Sequence, residues 1–172
     1  MAVVEGEEEQ KKWHGNITVE LPDCITGDQA WSIIGDFTAV DKWFALVAAT
    51  ELITGDPTQP GCIRRNTGHP NKTQDSSSDP IFWAKEKLVG INMEERSMTY
   101  EVIESNMGFN SFFSTIRVLQ GGDGVGDGGG CRMEWSFEAD PLDGWTQPAF
   151  LSFLHSGVQD LPKRILEASQ LQ

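Results

Sequence analysis

A single carboxylate on an otherwise apolar strand face is the residue most able to carry chemistry in this sequence. Residues 82–89 read FWAKEKLV, and alternation in a strand places Phe82, Ala84, Glu86 and Leu88 on one face. Both lysines fall on the opposite face, which is therefore the face expected in water. A carboxylate among apolar groups either pairs with a cation or transfers protons. The alternative is a strand edge with Glu86 in water, since a one-residue shift in register exchanges the faces.

An arginine pair on the preceding strand offers a cation for this carboxylate. Arg64 and Arg65 are adjacent, so a strand directs one of them to each face. The outer arginine is expected to be solvated, whereas the inner one needs a carboxylate or an anionic ligand group. Two opposite charges facing inward from neighbouring strands form a more specific signal than either charge alone. The residues themselves favour neither arginine as the inner one.

Other motifs that carry chemistry are not found in the sequence. GGDGVGDGGG at 121–130 has Gly126 where the calcium nonapeptide pattern requires aspartate, and it is interpreted as a hairpin loop. His14, His69 and His155 have no metal-ligand spacing, and no phosphate-binding loop or nucleophile elbow is present. The sequence therefore predicts neither a metal site nor a cofactor.

Composition and charge restrict the partners of the protein. The 172 residues carry a formal net charge of −13, with a pI of about 4.5. Such a surface repels phosphate backbones and anionic membranes, so nucleic-acid binding is not expected. No apolar run has the length of a membrane span, and the first residues do not have the layout of a secretory signal. Three cysteines without a CxxC motif indicate reduced thiols in a cytoplasmic protein.

Hydrophobic periodicity predicts the elements that position these residues. Residues 12–21 alternate as a half-buried strand. A helix over 26–37 begins with a capping box between Thr26 and Gln29, and AVDKWFA favours a second short helix. The polar segment 69–80 is interpreted as a loop within a long β region. Six strands are predicted there, in ALVAATELITG, GCIRRNTG, FWAKEKLVGI, SMTYEVIES, SFFSTIRVLQ and CRMEWSFEAD.

The end of the chain changes to a helical period. In residues 143–169, one apolar stripe from Phe150 to Ala168 predicts a long C-terminal helix, with Asp143 as its N-cap and a bend at Pro162. The one-sided sheet is the surface available to this stripe. A run of antiparallel strands with segregated helices belongs to the α+β class. Residues 1–11 are expected to form a disordered acidic tail, and residues 12–172 a single domain.

Several of these stretches together resemble the Bet v 1-like, or START, superfamily of plant proteins, which covers polyketide cyclases, dehydrases and lipid-transport proteins. ELITGDPTQPGCIRR, FWAKEKLV and RMEWSFEAD occur in this order before the C-terminal helix, and the resemblance runs from Lys12 to Ala168. Within the superfamily the sequence looks most like lachrymatory factor synthase. The resemblance implies a helix-grip fold, in which a seven-stranded antiparallel sheet wraps around a long C-terminal helix. Two short helices and an internal apolar cavity complete that fold.

The resemblance also implies a reaction. The catalytic arginine and glutamate of lachrymatory factor synthase match Arg64 and Glu86, which favours Arg64 over Arg65 as the inner arginine. The family reaction converts an alkenyl sulfenic acid to a sulfine by moving a proton. The arginine would hold the sulfur-bound oxygen and the glutamate would carry the proton, without a cofactor. Phe109 and Phe112 stand where the synthase has tyrosines, so a more apolar cavity is expected here.

Two functions are therefore predicted as alternatives. The first is a cofactor-free isomerase or cyclase for a small hydrophobic metabolite, with Arg64 and Glu86 as its catalytic pair. The second is a non-catalytic carrier or sensor of a lipid, sterol or hormone-like ligand, in which the pair binds a head group or forms a buried ion pair. The expected ligand-binding residues are Phe82, Ala84, Leu88, Tyr100, Phe109, Phe112, Met133, Trp135, Phe150 and Leu154.

Overall fold

The computed structural model describes residues 12–69, 81–109, 111–120 and 130–170. The predicted tail 1–11, most of the predicted loop 69–80 and almost all of the glycine-rich segment 121–130 lie outside the described residues. The predictions for those three segments therefore remain predictions.

Seven strands and four helices are formed by the described residues. The strands are β1 Trp13–Glu20, β2 Val47–Thr54, β3 Ile63–Gly68, β4 Trp83–Asn92, β5 Ser97–Ser105, β6 Phe112–Gln120 and β7 Cys131–Ala139. The helices are α1 Gly27–Ile34, α2 Val40–Trp43, α3 Gln147–Val158 and α4 Leu161–Gln170. All seven strands form one antiparallel sheet with the order β1-β7-β6-β5-β4-β3-β2. The predicted α+β helix-grip fold is confirmed.

One face of the sheet is apolar because burial alternates along the strands. In β7, Cys131, Met133, Trp135 and Phe137 are buried, whereas the intervening residues are at least partly exposed. β1 alternates in the same way and pairs with β7 along its whole length. A sheet with one apolar face must be covered on that face. The helices provide the cover: α3 contacts β1, and α1 contacts β6 and β7.

The first helix begins as the sequence predicts. Thr26 Oγ1 accepts a hydrogen bond from the backbone N–H of Gln29 at 3.1 Å, and Gln29 Oε1 accepts one from the N–H of Thr26 at 2.9 Å. This reciprocal capping box satisfies two N–H groups that the helix leaves unpaired. The short helix α2 follows, as predicted, and both helices contact α4.

The C-terminal helix differs from the prediction at its start and in its middle. Asp143 as the N-cap is wrong: the helix begins at Gln147, and Thr146 Oγ1 accepts a hydrogen bond from the N–H of Ala149 at 3.2 Å. Pro148 favours this start, since a proline in the first turn costs no hydrogen bond. At Pro162 the chain does more than bend, because α3 ends at Val158 and a new helix begins at Leu161. Proline has no N–H with which to continue the ladder of the preceding helix.

A glycine in α3 allows the chain after α2 to approach the helix closely. A Cβ added at Gly157 would overlap the ring of Phe44. The backbone N–H of Ala45 donates to the carbonyl of Gly157 at 2.9 Å. Phe44 in turn packs edge-on against Trp135 of the sheet, with ring centroids 5.3 Å apart. The lack of a side chain at Gly157 thus allows Phe44 to pack between α3 and Trp135.

We expect Gly157→Ala to lower the free energy of unfolding by about 1–3 kcal/mol, because the Phe44 ring must leave its position against Trp135. The better helix propensity of alanine, worth about 1 kcal/mol, offsets only part of this loss. Urea denaturation measures the change. Gly90→Ala is the matched control, since a Cβ at Gly90 meets no atom within 4 Å. Equal transition midpoints for the two variants would contradict the packing role of Gly157.

Candidate functional site

The structure brings Arg64 and Glu86 together on the inner face of the sheet. They are direct partners in the register of β3 and β4. Nε and Nη2 of Arg64 each lie 2.8 Å from Oε1 of Glu86. Arg64 is 1% exposed and Glu86 7% exposed. Arg65 lies on the outer face, where its Cζ is 4.7 Å from the centroid of the Trp83 ring.

A backbone carbonyl and two aromatic rings hold the guanidinium of Arg64. Its Nη1 donates a hydrogen bond to the backbone carbonyl of Phe37 at 2.8 Å. The ring centroids of Phe37 and Tyr100 lie 4.0 Å and 4.6 Å from its Cζ, which places the cation between two aromatic rings. Because the side chain is only 1% exposed, it offers almost no surface to a ligand. Its charge acts chiefly on Glu86.

Asn66 is a third member of this site, which the sequence analysis missed. Its Nδ2 donates to Oε1 of Glu86 at 2.7 Å, and its Oδ1 accepts from Thr50 Oγ1 at 3.0 Å. Thr50 Oγ1 also accepts a hydrogen bond from the N–H of Asp41, at 3.2 Å. This chain of contacts fixes the orientation of the amide. The signal in the sequence was its position two residues after Arg64, and therefore on the same strand face.

The two carboxylate oxygens of Glu86 have different surroundings. Arg64 Nε, Arg64 Nη2 and Asn66 Nδ2 all converge on Oε1. Within the described residues, no hydrogen-bond donor reaches Oε2. Glu86 also lines the internal cavity. Oε2 is therefore the oxygen available to a ligand.

A cavity of about 260 Å³ lies between the sheet and α3. Eight of the ten predicted ligand-binding residues line it: Phe82, Ala84, Tyr100, Phe109, Phe112, Trp135, Phe150 and Leu154. Leu88 and Met133 do not reach the wall, and both are fully buried in the packed core. Alternation predicts that a residue lies on the inner face, but it does not predict how deeply the residue is buried.

Aromatic side chains form much of the wall. The rings of Phe109 and Phe112 lie 5.0 Å apart, and each is within about 6 Å of the Phe150 ring. Trp43 on α2 also lines the cavity. It was not among the predicted ligand-binding residues, because its position depends on how α2 packs. The indole N–H groups of Trp43 and Trp135 are buried, with no hydrogen-bond partner among the described residues.

Ionisable groups near the pair remain in their neutral forms. Burial raises the pKa of Tyr100 well above its ordinary value, and the charge of Glu86 raises it further. The hydroxyl of this residue, the single tyrosine of the chain, therefore stays protonated at neutral pH. Burial also raises the pKa of the Cys62 thiol, two residues before Arg64. A thiol in this state is a weak nucleophile, which argues against covalent catalysis by Cys62.

The mouth of the cavity lies near the end of β3 and the start of β4. Phe82 is 47% exposed there, and His69 is also exposed. Both residues line the cavity, as does Met107 after β5. His69, which had no predicted role, lies at this entrance. A ligand entering here passes Phe82, His69 and Met107 before it reaches Glu86.

Comparison with known proteins agrees with this architecture. The family model described as "Polyketide cyclase / dehydrase and lipid transport" matches residues 12–168. The chain belongs to this family. Membership covers nearly the whole chain and both residues of the buried pair. Within the described residues, no cluster of three or more metal-ligating side chains is present, and no helix is long and apolar enough to cross a membrane.

Solved structures of low sequence identity share the fold of this chain. XoxI from Bacillus cereus is 20% identical, with a TM-score of 0.67 over 91% of this chain and 95% of that chain. Ginseng major latex-like protein 151 from Panax ginseng is 21% identical, with a TM-score of 0.62 over 93% of this chain and 99% of that chain. A protein from Thermobifida fusca is 18% identical, with a TM-score of 0.61 over 92% of each chain. At these identities the likeness shows the fold alone.

Proposed function

We propose that the protein binds a small hydrophobic metabolite in this cavity and rearranges it by proton transfer at Glu86, as a lachrymatory factor synthase-like isomerase. One observation carries the proposal: a carboxylate in an apolar cavity has one oxygen held by Arg64 and Asn66 and the other open. General acid–base catalysis needs such a positioned, water-poor proton carrier. The chemistry requires no cofactor.

The proton transfer conserves all atoms and electrons. Oε2 of Glu86 removes the proton from the O–H group of a bound alkenyl sulfenic acid, R–CH=CH–S–OH. The electron pair of that O–H bond stays on oxygen, a lone pair of sulfur forms the new carbon–sulfur π bond, and the carbon–carbon π pair moves to the far carbon. Glu86 returns the proton to that carbon, which gives the sulfine R–CH₂–CH=S=O. The enzyme ends in the state in which it began.

Arg64 takes a positioning role in this proposal. The resemblance to the synthase implies that Arg64 holds the substrate oxygen. However, the N–H groups of Arg64 are directed at Glu86 and Phe37, and its side chain is 1% exposed. A fixed positive charge 2.8 Å from Oε1 orients the carboxylate and compensates its charge. Asn66 supports the same oxygen from the other side.

A cavity of about 260 Å³ with mostly apolar and aromatic walls favours a small hydrophobic ligand. A cytoplasmic location accompanies the proposal, because Cys24, Cys62 and Cys131 are free thiols.

A carrier or sensor of a small apolar ligand is the second candidate function. Phe109 and Phe112 stand where the resemblance to the synthase leads us to expect tyrosines, and both line the cavity. Such a wall binds apolar surface without helping to position a polar substrate. The word "transport" in the description of the family is compatible with this function.

Deuterium incorporation separates the two candidates. The protein is mixed in D₂O with an alkenyl sulfenic acid generated in situ, and the product is analysed by NMR and mass spectrometry. Catalysis predicts sulfine formation faster than without protein, with one deuterium at the far carbon in a single stereochemical configuration. A carrier predicts a bound, chemically unchanged ligand and no protein-dependent exchange. That second result, obtained with ligands that do bind, would overturn the isomerase proposal.

A further inference from the structure

We infer that the cavity selects ligands whose head group is a neutral hydrogen-bond donor and discriminates against anionic head groups such as carboxylates. The inference rests on ligand binding at Glu86, which is part of the proposed function. It does not depend on catalysis. Its basis is that the charge of Arg64 is already paired with Glu86, whereas Oε2 of Glu86 remains open.

Arg64, the one arginine or lysine among the described residues that line the cavity, is already paired. Arg64 directs Nε and Nη2 at Oε1 of Glu86 and Nη1 at the carbonyl of Phe37, and the rings of Phe37 and Tyr100 cover its faces. An anionic ligand would have to break the contact with Glu86 in order to reach this guanidinium. Removing one partner from a buried pair leaves an uncompensated charge, which is costly.

The other polar groups of the described wall do not supply a second cation at this place. Asn66 is neutral, and its amide is oriented by Glu86 and Thr50. The indole nitrogens of Trp43 and Trp135 are almost inaccessible to solvent. His69 lies at the mouth, five residues after Arg64 along the chain, and five residues of extended chain span about 16 Å.

In the part of the wall that the structure describes, an open carboxylate oxygen therefore faces the ligand without an open cation beside it. A hydroxyl or N–H group on the ligand can donate a charge-assisted hydrogen bond to Oε2 of Glu86. A ligand carboxylate at the same place would meet like charge in a water-poor cavity, where Coulomb repulsion is strong. The preferred head groups are thus alcohols, phenols, amides and other neutral donors, on a small apolar body.

Three probes of nearly equal size test this selectivity at pH 7: 3-phenylpropan-1-ol, 3-phenylpropanoate and 1-methoxy-3-phenylpropane. Calorimetry or quenching of tryptophan fluorescence gives their dissociation constants. We expect the alcohol to bind at least about tenfold more tightly than the carboxylate and about tenfold more tightly than the ether. Equal binding of alcohol and carboxylate would overturn the inference, as would equal binding of alcohol and ether. Failure of the alcohol and of its shorter and longer homologues to bind at millimolar concentration would also overturn it.

A change at Glu86 should alter the order of affinities. In Glu86→Gln the amide oxygen can stay with Arg64 and Asn66, so that an NH₂ group faces the cavity in place of the carboxylate oxygen. The ratio of carboxylate to alcohol affinity should then rise at least about tenfold. The double variant Arg64→Gln, Glu86→Gln removes both charges, so it controls for an unpaired arginine and should abolish discrimination by charge. An unchanged ratio in both variants would contradict the inference. These experiments measure binding and not turnover, so a negative result in the isomerase assay would not change their interpretation.

Discussion

Replacing Arg64 by methionine is expected to lower the free energy of unfolding by about 3–5 kcal/mol, the largest stability effect that we predict for this protein. The substitution keeps most of the apolar stem but leaves the buried carboxylate of Glu86 without its cation. It also leaves the carbonyl of Phe37 without the donor at 2.8 Å. Both losses occur around a side chain that is only 1% exposed, so each carries a desolvation cost.

Arg65→Met is a matched control, because it removes the same side chain one residue further along the same strand. Arg65 lies on the outer face over the ring of Trp83, and a partly exposed contact of this kind contributes about 0–1 kcal/mol. Urea denaturation of both variants gives the comparison. In addition, Arg64→Met combined with Glu86→Leu should recover much of the loss, since no uncompensated charge remains. Similar stabilities of the two single variants would show that the pair at 64 and 86 is not buried as described.

Most of the fold could be predicted because local patterns and tertiary packing agree. Alternation in β7 predicts an apolar inner face, and that face is buried in the folded chain. The capping box between Thr26 and Gln29 is a local motif that the rest of the structure does not oppose. Agreement between local and global preferences is the condition under which a sequence can be interpreted without coordinates.

The start of the C-terminal helix shows where local signals compete. Asp143 and Thr146 are both residue types that cap helices well, and the sequence pattern extends over both. The structure uses Thr146, because Pro148 then falls in the first turn and the helix begins where Phe150 can enter the core. At Pro162 the missing N–H predicts a disturbance, but whether the helix bends or restarts depends on packing against α1 and α2.

Only part of the candidate site could be predicted, because local patterns do not determine how strands pair or how deeply residues are buried. Strand alternation gives the face of Arg64 and Glu86 but neither their register nor the depth of a residue below the surface. Asn66 shares that face and was overlooked, since a neutral amide gives a weaker signal than a charge. Leu88 lies on the same face, but it belongs to the packed core. Where packing ends and the cavity begins depends on which part of the sheet the helices fill, and this is a property of the whole fold.

Replacing Glu86 by glutamine is expected to lower the turnover rate of the proposed isomerisation by about 10²–10⁴-fold. The amide oxygen can accept the hydrogen bonds that Arg64 and Asn66 now donate to Oε1, so the local geometry should persist. The amide nitrogen at the position of Oε2 has no lone pair available to remove a proton. The variant therefore separates the proton-carrying role of Glu86 from its structural role. The measurement is kcat for sulfine formation.

Two measurements on the same variant decide how a loss of turnover is interpreted. Propylbenzene, which has no head group, should bind to wild type and Glu86→Gln with dissociation constants that agree within about threefold, since the apolar wall is unchanged. Glu94→Gln changes an exposed carboxylate in the turn after β4 and should leave turnover unaltered. If Glu86→Gln binds propylbenzene normally and keeps turnover within tenfold of wild type, Glu86 is not the proton carrier. The open oxygen in the cavity would then serve only to bind the ligand, as the carrier function requires.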